Sequence, residues 1–227
     1  MSNRLDPVSS RGDGVAGETA RARLDGGMAR PERDAEPGVV KCAAYAEGAP
    51  VGEVSVDAIS EVLKVPGHFV WIGLHEPSAE LLRRVQQEFG LHDLAVEDAL
   101  RAHQRPKVEE YGDGLFVVLR TAQRRDGTLA MGETHVFIGA NYVVTVRHGA
   151  SLPYTPVRAR CEASRHLLRR GPAFVLYAVM DFVVDQFFPI VDAYEDELEA
   201  LEEQIFGDGF DRSTTERIYG RSAIWSR

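Results

Sequence analysis

Glu97 and Asp98 stand side by side in the run Asp93-Leu94-Ala95-Val96-Glu97-Asp98-Ala99-Leu100, where a short helix is expected. Carboxylates are hard oxygen donors, and the chemistry open to them here is the holding of a hydrated cation such as Mg²⁺. Adjacent side chains on a helix point in different directions, so the pair is a poor chelate for a single ion. Each acid could instead enter a separate hydrated-ion contact, with other ligands supplied by other elements or subunits; a solvated acidic surface is the alternative. Asp181, between Met180 and Phe182 in an otherwise apolar run, is a second anomaly. An acid there needs a buried partner, a crevice or an interface. Asp185, four positions later, shares its helical face, and a salt bridge to Arg158 or Arg165 on the preceding helix accounts for such a stripe as well as a metal does.

Other chemistries find no support. The seven histidines form no H-E-x-x-H and no pair at helical spacing, which argues against a catalytic zinc centre. There is no G-x-G-x-x-G after a strand, no phosphate-binding G-x-x-x-x-G-K-[ST] loop and no G-x-S-x-G elbow, and with no nucleophile, base and oxyanion arrangement an enzyme is not expected. The net charge of -9, without a sustained basic stripe, excludes a nucleic-acid binder. Cys42 and Cys161, the only cysteines, lie far apart and read as core thiols of a reducing compartment.

The elements that must position these acids are legible in outline. Residues 1–37 are rich in Gly, Arg, Asp, Glu and Pro and read as a flexible tail. Strands are expected at Val39–Tyr45, Phe69–Leu74, Gly114–Ala122, Met131–Ile138 and Tyr142–Val146, with corners at Asp126-Gly127 and Ala140-Asn141. Helices are expected at Val56–Leu63, from an N-cap at Ser78 through Phe89 to a stop at Gly90, at His92–Leu100, and at Thr155–Arg169. An extended segment runs through Arg105-Pro106-Lys107, in a charged stretch able to pin a loop by ion pairs.

From Pro172 to Phe206 the pattern predicts one helix of roughly 35 residues, about 50 Å long. Val191, Tyr194, Leu198, Leu201 and Ile205 form its later apolar face, and an acid-only patch of seven Asp and Glu residues from Asp192 to Glu203 fills the rest. Phe174–Val191 is interrupted by Asp181, Asp185 and Gln186, so it reads as a buried helix of a soluble protein rather than a membrane span. Beyond Asp208-Gly209, a further helix begins at Thr214, capped by Asp211 or Ser213. The fold class is therefore α/β, an αβα layered mixed sheet over residues 38–170 followed by long stalk-like helices over 171–227.

The run Asp93 to Leu100, then His103-Gln104-Arg105-Pro106-Lys107-Val108-Glu109 and the strand Leu115–Leu119, resembles the cytoplasmic domain of the CorA family of magnesium and cobalt transporters. Asn141 to Arg147, and Leu176-Tyr177 through Asp181 and Val184-Asp185 into the acidic arm, agree with it. The resemblance implies a homopentamer whose cytoplasmic funnel leads to a membrane pore. It also implies divalent cations, Mg²⁺ or alternatively Co²⁺, bound between neighbouring subunits as a gate sensor. By position Asp98 is similar to the carboxylate of the principal intersubunit site, and Glu97 and Asp181 to contributors to the second.

A full member continues into a longer stalk, which carries the partner acid for Asp98, and then into two membrane spans with a Gly-Met-Asn signature. With its last residue at Arg227, the chain corresponds to the part at the cytoplasmic face of the membrane, linked to it only through those spans. Two alternatives remain at this stage, the related zinc-transporting branch and an acidic scaffold that binds a partner protein without metal.

Overall fold

The computed structural model describes residues 36–125 and 128–207. The expected tail up to residue 35, the Asp126-Gly127 corner, Asp208-Gly209 and the helix from Thr214 lie outside the described residues.

Seven strands form one sheet: β1 (Val39–Ala46), β2 (Ala49–Glu53), β3 (His68–His75), β4 (Lys107–Tyr111), β5 (Gly114–Arg125), β6 (Thr128–Ile138) and β7 (Tyr142–Gly149). Their spatial order is β2-β1-β3-β7-β6-β5-β4. Every neighbouring pair is antiparallel except β3 and β7, which run parallel with Ile72 opposite Val144. A 3₁₀ turn at Val56–Ala58 leads into α1 (Ile59–Leu63), followed by α2 (Ala79–Phe89) and α3 (Asp93–Leu100). After the sheet come α4 (Thr155–Ala163), α5 (Arg165–Leu168), α6 (Pro172–Asp185) and α7 (Phe188–Gly207).

Strand residues alternate between faces, and this sheet is covered on both. Val70, Ile72, Leu74, Val144 and Val146 pack under α2 and α3, where Leu82, Val85, Ala95, Val96 and Ala99 are buried. Phe69, Trp71, Val117, Val136 and Val143 face the other way, against Val157 and Cys161 of α4 and Val175, Ala178, Val179 and Val183 of α6. The expected layered α/β architecture with long C-terminal helices is thus present.

Local signals account for α2. The Ser78 side chain accepts a hydrogen bond from the Leu81 amide at 3.1 Å, and Gly90 closes the helix at φ +66°, a left-handed conformation that only glycine adopts without strain. Elsewhere the sheet is larger than its local pattern suggests. β2 was not foreseen, because a short strand containing Pro50 and Gly52 is specified only by its pairing with β1. The extended segment through Lys107 becomes the edge strand β4, paired with β5.

Two long helices are each divided. The stretch Thr155–Arg169 breaks at Ser164, which separates α4 from α5. The long C-terminal helix is interrupted at Gln186–Phe187, where Pro189 has no amide to offer the Asp185 carbonyl and its ring crowds that oxygen. Nor is this stretch simply a buried helix. By length and composition alone Pro172–Glu203 is long and apolar enough to cross a membrane, and although one face of α6 packs on the sheet, Tyr177, Met180, Val184, Phe188, Val191 and Leu198 are exposed.

Candidate functional site

The α3–β4 corner is built by a helix that buries one face and leaves its acids at the rim. Ala95, Val96 and Ala99 anchor α3, so Glu97 is exposed and Asp98 half-buried. His92 caps the helix by accepting the Leu94 amide at its Nδ1, and its ring stacks on Tyr111 of β4 at 4.2 Å between centroids. This contact draws α3 against the edge strand.

Across the corner, Lys107 Nζ donates to Asp98 Oδ2 at 2.6 Å and to Glu109 Oε2 at 2.8 Å, while Tyr111 Oη donates to the same Glu109 oxygen at 2.9 Å. Burial pulls the Lys107 ammonium down, but its bonds to Asp98 and Glu109 outweigh that and hold it above its ordinary value. The bonds from Lys107 and then Tyr111 hold Glu109 below the usual carboxylate range. Glu97 pairs with Arg101 one turn on, at 2.7 Å.

Asp181 is half-exposed rather than deeply buried and accepts from Arg160 Nη2 of α4 at 2.9 Å, with Tyr177 Oη at 3.4 Å. The helix-to-helix salt bridge is therefore real, but its partner is neither Arg158 nor Arg165. Arg158 is buried instead, over the Trp71 ring at 3.9 Å, donating to Trp71 O and Tyr45 Oη.

A polar group behind α3 was missed. Glu133, 2% exposed, accepts from the backbone amides of His103 and Gln104 at 2.6 and 3.0 Å, clamping the loop between α3 and β4. His103 sits in this loop at φ +79°. His148 contacts Glu76 Oε2 through Nδ1 at 2.9 Å and the Ala99 carbonyl through Nε2 at 3.0 Å. Both partners accept, so both contacts are hydrogen bonds together only when the ring carries two protons. The Gly149 amide and then His148 hold Glu76 below its ordinary value. His135, fully buried, has Glu133 at 3.6 Å, beyond hydrogen-bond range, and its ring is pushed down to about 4, chiefly by burial. The available signal was an acid on an inward strand position beside Thr134 and His135.

The donor chemistry of Asp98, Glu97, Glu109 and Asp181 suits a hard, hydrated ion. Among the described residues, however, no group of three or more His, Cys, Asp or Glu side chains is placed to hold a metal. Each predicted acid is balanced by a cation of its own chain, and Lys107 sits between two carboxylates where a metal ion could compete with it. Glu97 and Asp98 lie on the helix covering one face of the sheet, Asp181 on the helix covering the other. The structure brings Glu97 and Asp98 together and keeps Asp181 apart from both. Cys42 and Cys161 are buried, and burial pushes their thiols up to about 12 and about 11, leaving them without nucleophilic character near neutral pH.

Comparison with known proteins accords with this architecture. The chain is 32% identical over 141 residues to the cobalt/magnesium transport protein CorA of Thermotoga maritima, covering 60% of this chain and 40% of that protein. It is 22% identical over 171 residues to the cobalt/magnesium transport protein CorA of Methanocaldococcus jannaschii, covering 74% of this chain and 53% of that one. The fold matches the solved soluble domain of CorA from Methanocaldococcus jannaschii with a TM-score of 0.57 at 20% identity, over 81% of this chain and 71% of that one. The chain thus spans about half or less of the length of these curated relatives, and its fold is that of the solved soluble domain. Residues 66–224 match the family described as CorA-like Mg2+ transporter protein, and the chain belongs to that family.

Proposed function

We propose that this chain is the ion-sensing cytoplasmic portion of a divalent-cation transporter, carrying Mg²⁺ or Co²⁺, and that it assembles as a homopentamer gated by cations bound between subunits. The observation that supports this most is the placement of Glu97 and Asp181 on helices covering opposite faces of the sheet. One chain cannot bring these acids to one ion, whereas neighbouring copies can. A cation there offsets the mutual repulsion of acidic faces, and its departure shifts a closed-to-open balance. Asp98, bridged by Lys107, is the carboxylate of the principal contact, and Glu97 and Asp181 serve the second.

The own-chain ion pairs of all three acids favour a second reading, a domain whose acids are structural and which answers to no metal. One experiment separates the two. The oligomeric mass and melting temperature of the chain are measured with and without millimolar Mg²⁺, for the native protein and for Asp98→Asn and Asp181→Asn. Mg²⁺-dependent association that either substitution weakens supports the sensor. No Mg²⁺ response in any of the three proteins, with each substitution lowering the melting temperature equally in both buffers, supports the structural reading. Repeating the titration with Zn²⁺ tests the zinc alternative, since zinc would draw on histidines rather than on these oxygens.

A further inference from the structure

On the face of the sheet away from α3, a cleft of about 180 Å³ opens between the carboxyl ends of β3 and β7 and the start of α4. We infer that this cleft binds a small phosphate-type oxyanion, and that Arg147 is its principal ligand. The chain as a whole carries a net charge of -9, yet this cleft is lined by Lys41, Arg147 and Arg158 against the single carboxylate of Glu162.

The charges are unevenly compensated. Arg158 donates to Tyr45 Oη, which in turn donates to Glu162 Oε1 at 2.7 Å, so the Glu162 charge is engaged through the tyrosine. Arg147 has no such relay. It is only 6% exposed, and among the described residues its one side-chain hydrogen bond is a 3.4 Å contact from Nη1 to the Ser151 carbonyl, with the Tyr154 ring 5.6 Å from its guanidinium carbon. Among the described residues no carboxylate pairs with it. Its guanidinium carries five donors, and those that Ser151 does not take are not sealed from solvent but face the cleft, where a bound anion accepts them in place of water.

Two backbone features point into the same space. Gly73 lines the floor, where a Cβ would lie 3.6 Å from Thr145 Oγ1, so the missing side chain leaves room beside Arg147. Thr155 at the wall opens α4, whose first turn has neither a side-chain cap nor an acid. Pro156 contributes no amide to that turn, so what favours an anion there is the positive end of the helix with its remaining amides. β3 and β7 are the parallel pair of this sheet, and ligands of open α/β sheets gather beyond the carboxyl ends of such strands.

The test is calorimetric titration of the chain with inorganic phosphate, phenyl phosphate and sodium acetate, at matched ionic strength in chloride. Saturable phosphate binding is expected in the native protein and in a Lys64→Gln control, whose site pairs with Glu61 on the surface. Arg147→Gln should weaken it about tenfold or more, the loss of charge-assisted hydrogen bonds. Ala159→Glu, at an exposed position on the cleft wall, places a carboxylate at the mouth without disturbing the core and should do the same. If Arg147→Gln fails to fold, this second variant decides. Tighter phenyl phosphate than inorganic phosphate assigns the site to a phosphate ester, and the reverse order to the free ion. Acetate as tight as phosphate, no saturable heat beyond that of chloride, or binding unchanged in both variants would overturn the inference.

Discussion

Lys107 reaches from the edge strand to Asp98 at 2.6 Å and holds Glu109 with the same nitrogen. The ammonium occupies the space between the two carboxylates. Replacing it by methionine leaves Asp98 and Glu109 to repel one another. Lys107→Met should cost about 1 kcal/mol or less, since the pair is partly solvated and screened. Millimolar Mg²⁺ should restore more stability to this variant than to the native protein, as read by thermal melts in both buffers. Equal Mg²⁺ responses would show that the two acids do not share a cation.

Glu133 holds the loop after α3 through two backbone amides. Glu133→Gln removes the charge that assists both bonds and leaves a polar side chain buried in their place. A loss of about 2 kcal/mol is expected, together with faster hydrogen exchange at the amides of His103 and Gln104. Unchanged exchange at those two positions would mean that the loop is held by something other than this side chain.

Acid should destabilise the fold in a defined window. The His135 ring titrates near 4 in the folded chain and near 6.5 when unfolded, so as pH falls through 6.5 the unfolded state takes up a proton that the native state refuses. Stability is full above about 6.5 and is lost progressively down to about 4, by on the order of 3 kcal/mol. Glu133, His148 and Asp98 all bear on this ring. Glu76, with its pKa lowered, adds a loss of the same sign below its ordinary value of 4.5. His135→Phe, which keeps a ring against Phe116, should flatten the upper part of this profile in denaturant titrations between pH 7 and pH 4. A profile as steep as that of the native protein would show that the acid sensitivity arises elsewhere.

Pro189 both ends α6 and opens α7, a position it tolerates because first-turn amides have no helical partner. Pro189→Ala returns a donor to the Asp185 carbonyl. The two helices should join, with a rise in far-ultraviolet helical signal and a protected amide at residue 189. The net change in stability should stay within about 1 kcal/mol, because the alanine also loosens the unfolded chain. A new amide at 189 that exchanges freely would show that the break is imposed by packing around Phe187.

Legibility in the sequence followed the range of the forces involved. α2 could be read residue by residue, because its cap, its apolar stripe and its terminating glycine all lie within a dozen positions. β2 could not, since its residues have poor strand propensity and only the partner strand specifies them. Asp181 was recognisable as an acid needing a cation, but whether Arg158, Arg160 or Arg165 faced it depended on how the helices α4 and α5 roll against α6. That in turn depends on Trp71 capturing Arg158 from the sheet below. Glu133 gave almost no warning, for the groups it satisfies are backbone amides some thirty residues earlier in the chain. Glu97 and Asp98 were identifiable as an acidic corner, whereas the ammonium between Asp98 and Glu109 required the edge strand to be in place.

The positions of Glu97 and Asp181 have a consequence for symmetry. Because they belong to opposite sides of the layered fold, a cation joining them would connect unlike surfaces, and each copy would still present one donor and one acceptor surface to the next. A contact of that heterologous kind has no two-fold axis and never completes itself in a pair. It ends only when the rotation between successive copies closes a ring, and a substitution that tilted α3 or α6 by a few degrees would open that ring into a helical chain.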